Sequence, residues 1–355
     1  MPISPAYLEA LANGAGKTRK QLATAYGDEA ARWVEEQLTL REKARKKFEQ
    51  PEQYLYEREA LEQATHHEVA AYHAAQFPNG ALVADLTVGI GADAMALAKR
   101  GPVVAYELDP NRAELAQYNC PGVDIRTEDG LTVAEDVSYI WADPDRRSNT
   151  GKRLREMADY APNPLDIPRD RSKTGIKLSP LLKDEELASV GKRVEFISHQ
   201  RECKEAICWS GSEVEPGQYA VHIESGEVLP TKELYDLEDA PLEFIFDADP
   251  AATRAHALGN FGIPALGESP GYLTGPAMTS VWLSAYEVLD HGSFDEKRVK
   301  KALRTLGNRV YEVKQRGAKL DPSKVMKQVA TDGEPVSLIC WVVGQSVRYA
   351  IARRI

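Results

Sequence analysis

A chain of 355 residues, 43% of them hydrophobic, is long enough for two or three domains with cores of their own. Its formal charge of −10 excludes a protein that is basic throughout, and no stretch reaches the ~18 consecutive apolar residues of a membrane span. Residues 1–20 hold no apolar signal segment, and Cys120, Cys203, Cys208 and Cys340 form no C-x-x-C pair. The expectation is a cytoplasmic protein with reduced thiols, no membrane contact and no metal.

Residues 1–77 read as a helical region. Ala30, Val34 and Leu38 give one helix an apolar stripe, and Ala64-Thr65-His66-His67 opens the helix that leads into the first strand, with Thr65 as its expected cap. Gly14 to Thr18 superficially matches a phosphate loop, but no strand precedes it and its first glycine would fall on Leu11. His66 and His73 share a helical spacing without the ligand set that a metal needs.

Residues 78–228 carry the motif of the chain. The apolar run Ala81 to Ala84 is a buried strand, Asp85 ends it, and Thr87, Gly89 and Gly91 turn the chain into a helix that stops at Gly101-Pro102. Val103 to Tyr106 is a second strand with Glu107 at its carboxyl end, where ligands of open α/β sheets bind. Asp109-Pro110 caps the next helix. Val123 to Arg126 is a third strand followed by Asp129-Gly130, and Ser138 to Ala142 a fourth, ending in Asp143-Pro144-Asp145-Arg146-Arg147. Ser148 to Lys173 is expected to loop over the site. Gly175–Leu178, 194–199, 205–210 and 218–224 complete the strands, with 194–210 an antiparallel hairpin.

Charge discriminates between ligands of the glycine turn. Gly89, Gly91 and Ala94 fit G-x-G-x-x-A, yet a pyrophosphate would meet Asp85 and Asp93 on either side of the turn. S-adenosylmethionine has a cationic amine, a sulfonium and no phosphate, and suits those acids. Glu107 is placed to accept from two ribose hydroxyls, and Asp129 from an adenine amino group.

Residues 229–355 form a further module. A helix is expected over 247–260, a glycine- and proline-rich connection over 262–276, and then the order βαβαββ from Val281 to Ala352. From Lys297 onward fourteen Lys and Arg stand against four acids, so this stretch carries +10 and the rest of the chain −20. Such asymmetry points to a basic face.

Taken together, Leu61-Glu62-Gln63-Ala64-Thr65, Asp85 to Asp93, Asp143 to Arg147, and Tyr311 to Gly317 with Leu320-Asp321-Pro322 resemble the bacterial class I S-adenosylmethionine-dependent methyltransferases that carry a THUMP-like C-terminal domain. The resemblance implies an α/β fold: a Rossmann-like sheet, an N-terminal helical region and a C-terminal α+β domain. It implies cofactor contacts at Asp85, Gly89, Gly91, Glu107 and Asp129, with Asp143-Pro144 near the methyl group. The family loop often reads Asp-Pro-Ala-Arg-Arg, and Asp145 replaces its alanine here.

The candidate cofactor residues are thus Thr65, Asp85, Thr87, Gly89, Gly91, Glu107, Leu108, Asp129, Gly130, Asp143 and Pro144. Asp143 is the candidate catalytic residue, orienting or deprotonating the acceptor. Arg146, Arg147, Lys314 and Arg316 are candidates for substrate contact. No cysteine occupies the Asp143 loop, which argues against a cysteine-nucleophile route, and no aromatic follows it as in exocyclic-amine methyltransferases. The expected activity is methyl transfer to RNA, tRNA or rRNA, docked by the basic module. The alternatives are a small-molecule or protein methyltransferase with a structural C-terminal module, and a non-catalytic RNA-binding protein that keeps the fold.

Overall fold

The computed structural model describes residues 3–145, 157–234 and 236–355. The chain parts into two compact units, Met1–Val194 with Ile207–Pro216, and Glu195–Ala206 with Gly217–Ile355. Composition alone places a boundary near residue 228, whereas residues 195–206 already pack with the second unit.

In the first unit, α1 (Pro5–Ala12), α2 (Arg19–Tyr26) and α3 (Asp28–Ala44) close on one apolar cluster of Ala10, Leu11, Leu22, Ala30, Ala31, Val34 and Leu55. Thr18 and Gln21 form a reciprocal capping box that starts α2, so the glycine-rich stretch before it is a turn between helices. Along α3 the buried positions fall at helical spacing and include one amide, Gln37. That amide donates to the Tyr56 carbonyl at 2.7 Å and accepts the Tyr56 N–H at 3.0 Å, which satisfies it without water. Leu40, Phe48, Tyr56, Ala60 and Leu61 then pack against Ile90 of the glycine turn. The helical region is thereby built into the wall of the sheet domain through α4 (Arg58–Gln63) and α5 (His67–Ala75).

The first sheet consists of β1 (Val83–Asp85), β2 (Val103–Tyr106), β3 (Asp124–Arg126), β4 (Tyr139–Ala142) and β5 (Lys173–Leu178), all of the first unit, and of β6 (Arg193–His199), β7 (Glu202–Ser210), β8 (Gly217–His222) and β9 (Val228–Pro230), of which residues 195–206 and 217 onward belong to the second. Their order is β3-β2-β1-β4-β5-β7-β6-β8-β9. β1 is central and parallel to both neighbours, with Val83 opposite Val103 and Tyr139. It starts two residues later than its apolar run suggests, and Leu82 is left 43% exposed outside the ladder. α6 (Ala92–Ala98) and α7 (Pro110–Asn119) follow β1 and β2, and α8 (Asp184–Val190) follows β5. Asp109 accepts from the N–H groups of Asn111 and Arg112 and Pro110 takes the first helical position, so α7 starts where its cap predicts.

In the second unit, β10 (Leu237–Glu238), β11 (Phe244–Ala248), β12 (Ala265–Leu266), β13 (Tyr272–Gly275), β14 (Leu283–Ser293), β15 (Asn308–Gln315), β16 (Glu334–Val343) and β17 (Ser346–Arg354) form a second sheet. Its order is β10-β12-β13-β11-β14-β17-β16-β15. α10 (Glu296–Leu306) and α11 (Pro322–Gln328) complete the βαβαββ order, and Val299, Leu303 and Val325 pack on Val336, Leu338, Tyr349 and Ile351.

The helix expected over 247–260 is not formed. Phe244 to Ala248 is buried at every position as a strand between β13 and β14, and Asp249 caps only the short α9 (Pro250–Arg254). Alanine-rich composition suggested a helix there, but the continuous apolar run ahead of it has sheet neighbours on both sides, and tertiary pairing overrides propensity. The expected connection over 262–276 likewise contains β12 and β13.

Candidate active site

A cleft of about 430 Å³ opens at the carboxyl ends of β1, β2 and β4 in the first unit. Its lining includes Thr65, Thr87, Gly89, Glu107, Leu108, Asp129, Gly130, Asp143 and Pro144 from the sequence candidates. A larger, shallow depression of about 650 Å³ lies beside Arg169 and Lys192, among residues that precede β5 and follow α8. That is the wrong edge of a parallel sheet for a ligand.

Asp85 does not line the cleft. It lies beneath the turn, 1% exposed, and its carboxylate accepts the Thr87 N–H at 3.1 Å. Burial first, and then the charge of Asp93, hold its carboxyl well above the usual range, with Asp143 and Glu107 adding to the effect. Gly91, at φ +97°, caps α6 from behind the cleft, and a Cβ on it would come within 2.3 Å of Cys120 Sγ. Only a glycine fits both that conformation and that approach.

Glu107 is fixed by the backbone. Its two carboxylate oxygens accept from Gly89 N–H and Asp109 N–H, each at 3.0 Å. Burial raises its pKa against the pull of these donors and of Arg112. Each oxygen keeps a second lone pair for a further donor. Asp129 accepts from Leu131 N–H at 3.0 Å at the start of a short 3₁₀ turn, which orients it at the rim.

On the opposite wall a polar chain runs from the core to Asp143. His73, fully buried and stacked on Trp141 at 4.2 Å, meets Asp93 Oδ1 at 2.7 Å. Thr65 donates its hydroxyl to Asp93 Oδ2 at 2.8 Å. Burial would push the Asp93 carboxyl up, but His73, Lys177 and Thr65 together bring it below the ordinary value. Lys177 of β5 reaches Thr65 Oγ1 at 3.3 Å and Asp143 Oδ2 at 2.5 Å. The Asp143 N–H donates to Thr87 Oγ1 at 2.6 Å. Thr65 is thus a side-chain link, while the cap of α5 is His66.

Sequence reasoning missed Lys177 and the role of His73. The signal for Lys177 was a charged residue near the carboxyl end of an otherwise apolar strand, Lys173-Thr-Gly-Ile-Lys177-Leu178, beside the strand that delivers Asp143. Arg146, Arg147 and the beginning of the expected loop, to residue 156, lie outside the described residues. Beyond them Asp145 pairs with Ala161 through two backbone hydrogen bonds and accepts from Gln63 Nε2 at 3.0 Å. Lys314 and Arg316 are in the second unit, where both pair with Asp247, at 2.9 Å and 3.1 Å.

The donor set fits S-adenosylmethionine. Carboxylates converge on the cleft from β2, β3 and β4, with hydroxyls of Thr65 and Thr87 between them, a poor environment for a pyrophosphate and a good one for an amine, a sulfonium and ribose hydroxyls.

Fold and cleft together define a class I methyltransferase. Over 343 residues the chain is 30% identical to the uncharacterized S-adenosylmethionine-dependent methyltransferase of Mycobacterium tuberculosis, in strains H37Rv and CDC 1551, covering 90% of this chain and 94% of that one. Residues 283–354 match the THUMP domain-like family. A solved methyltransferase structure from Porphyromonas gingivalis W83 aligns over 100% of both chains with a TM-score of 0.82 at 19% identity, which speaks for the fold alone. The chain belongs to the S-adenosylmethionine-dependent methyltransferases, and S-adenosyl-L-methionine is its cofactor.

Proposed function

We propose that the protein methylates RNA, tRNA or rRNA, in the cytoplasm, with the basic C-terminal module docking the RNA. The observation that carries this reading is the concentration of positive charge after residue 296. Lys297, Lys301 and Arg304 of α10 and Lys324 and Lys327 of α11 are exposed, in the module that matches the THUMP domain-like family. Such side chains bind phosphates by charge and by the release of counterions.

In this reading Glu107 accepts from the cofactor ribose and Asp129 from its adenine, across a floor of Gly89 and Gly130. Asp85 and Gly91 act from behind, shaping the turn. Leu108 and Pro144 are apolar walls, and Thr65, Thr87 and Asp143 line the methyl side. The bound cofactor supplies an electrophilic methyl group on sulfur. The protein's task is alignment, because an in-line displacement is fast once donor and acceptor are held at attack distance. Asp143 faces the acceptor as its orienting or proton-accepting group.

Calorimetric titration with S-adenosylmethionine tests the first half, with loss of binding expected in Glu107→Ala. RNA binding tests the second. Replacing Lys297, Lys301, Arg304, Lys324 and Lys327 with Gln should weaken RNA binding and flatten its salt dependence, leaving cofactor affinity intact. A second reading rests on the ion pairs of Lys314 and Arg316 with Asp247. There the module is structural and the acceptor is a small molecule or a protein, and RNA affinity would not respond to the five Gln substitutions.

A further inference from the structure

We propose that Lys177 receives the α-carboxylate of S-adenosylmethionine, so that the cleft selects a cofactor with an intact amino-acid end. The inference concerns the cofactor alone and is independent of what the protein methylates.

The first support is the direction in which the cleft runs. In the reading above, Glu107 after β2 and Asp129 beyond β3 hold the adenosine half, and the sheet order places β1, β4 and β5 on the other side of β2. Neighbouring strands lie about 4.8 Å apart, so the carboxyl end of β4 is roughly 10 Å from that of β2. The chain from the ribose through sulfur to the α-carbon covers such a span. Its amino-acid end is thereby directed to the wall of Thr65, Asp143 and Lys177.

The second is charge. That end carries an ammonium and a carboxylate, and the acids that attract the one repel the other. Asp93 and Asp143 are the acids here, and the Lys177 ammonium serves both: it is paired with Asp143 Oδ2, and its charge helps to hold the Asp93 carboxyl low. The Lys177 side chain is 16% exposed, so water and salt screen it little. Arg112, the other cation among the described lining residues, is engaged at the ribose end by Glu57 at 2.9 Å and Glu59 at 3.7 Å.

The third is the disposition of protons. Thr65 donates its hydroxyl to Asp93 at 2.8 Å, so toward Lys177 its oxygen can only accept, and at 3.3 Å that contact is a long one. A carboxylate oxygen is a stronger acceptor for this donor than a hydroxyl. The exchange leaves Thr65 bonded to Asp93 and Lys177 bonded to Asp143. One ammonium then ties the far end of the cofactor to the carboxylate that faces the acceptor.

The test is calorimetric titration of the full-length protein with S-adenosylmethionine and with its decarboxylated analogue, which keeps the sulfonium and the amine. Wild type should bind the intact cofactor roughly 30-fold more tightly, as expected for a sheltered, charge-assisted hydrogen bond. Lys177→Met should erase that preference: affinity for S-adenosylmethionine falls roughly 30-fold, while affinity for the analogue stays within about threefold of wild type or rises. Retained binding of the analogue shows at the same time that the variant is folded. Lys177→Gln, which keeps a donor for Asp143 and Thr65, should lose the preference as well, and Lys177→Arg should recover part of it. Equal affinity of wild type for the two ligands overturns the proposal, because then nothing in the cleft recognises the carboxylate. A wild-type preference that survives in Lys177→Met and Lys177→Gln overturns it too, since another group then meets the carboxylate. Equal losses for both ligands overturn it in favour of a structural role in the cleft wall.

Discussion

Replacing Lys47 with Met removes an ammonium that donates to three carbonyls at the end of α4: Leu61 at 3.0 Å, Glu62 at 2.6 Å and Ala64 at 2.8 Å. Those carbonyls have no helical partner, and a cation beside a helix C-terminus is favoured by the helix dipole as well. Two of them, with the rest of Glu62 to Thr65, belong to one wall of the cofactor cleft, and the Leu61 carbonyl directly precedes it. A hydrogen bond to a charged group contributes about 1.5–3 kcal/mol where it is buried. Here one of the three contacts is exposed and the others are half-buried, and water can take the place of the lost donor, so about 2 kcal/mol is a fair sum for the set. If the loosened wall must be reordered when the cofactor binds, affinity falls by roughly tenfold to thirtyfold, at about 1.4 kcal/mol per factor of ten. Calorimetric titration of Lys47→Met with S-adenosylmethionine measures this, beside a thermal melt that should move by only a few degrees. A dissociation constant within about twofold of wild type would refute the reasoning.

Asp85→Asn should stabilise the fold at neutral pH. The native carboxyl titrates above its ordinary value of 3.8, so between those two pH values the unfolded chain ionises while the native state holds its proton, and stability falls as pH rises. The gain of the Asn variant therefore shrinks on acidification toward 3.8 and vanishes below it; a gain that grows in acid would contradict the assignment. Gly91→Ala meets Cys120 Sγ at 2.3 Å from a φ of +97° and should cost about 2–4 kcal/mol in urea unfolding, partly recovered by Cys120→Ala. Gly89→Ala, at φ +56° with open space, should cost about 1 kcal/mol, and equal losses at the two glycines would sink this account. Asp247→Asn leaves Lys314 and Arg316 facing an amide at a buried position and should destabilise the second unit by roughly 2–3 kcal/mol; an unchanged melt would show the pairs to be idle.

The parallel core was legible because its punctuation is local. Gly101-Pro102 stops α6, Asp109-Pro110 starts α7, and the βαβαββ order after residue 282 follows from short apolar runs between capped helices. The carboxylates of the cleft were legible for the same reason, since Glu107 and Asp143 stand directly after a strand and Asp129 three residues beyond one. What escaped depends on partners distant in sequence. Lys177 acquires its significance from Asp143, 34 positions away, and Lys314 and Arg316 looked like free basic groups until Asp247 was seen between them. The strand at 244–248 was hidden because its neighbours, β13 and β14, are themselves assembled from later sequence. Periodicity describes one segment at a time and cannot report such pairings.

The division of the chain into Met1–Val194 with Ile207–Pro216, and Glu195–Ala206 with Gly217–Ile355, means that the polypeptide passes from one unit to the other three times. A single protease nick or gene breakpoint near these crossings leaves at least one half short of a piece of its own core. An engineer who wants either unit alone therefore has to rejoin the chain rather than cut it.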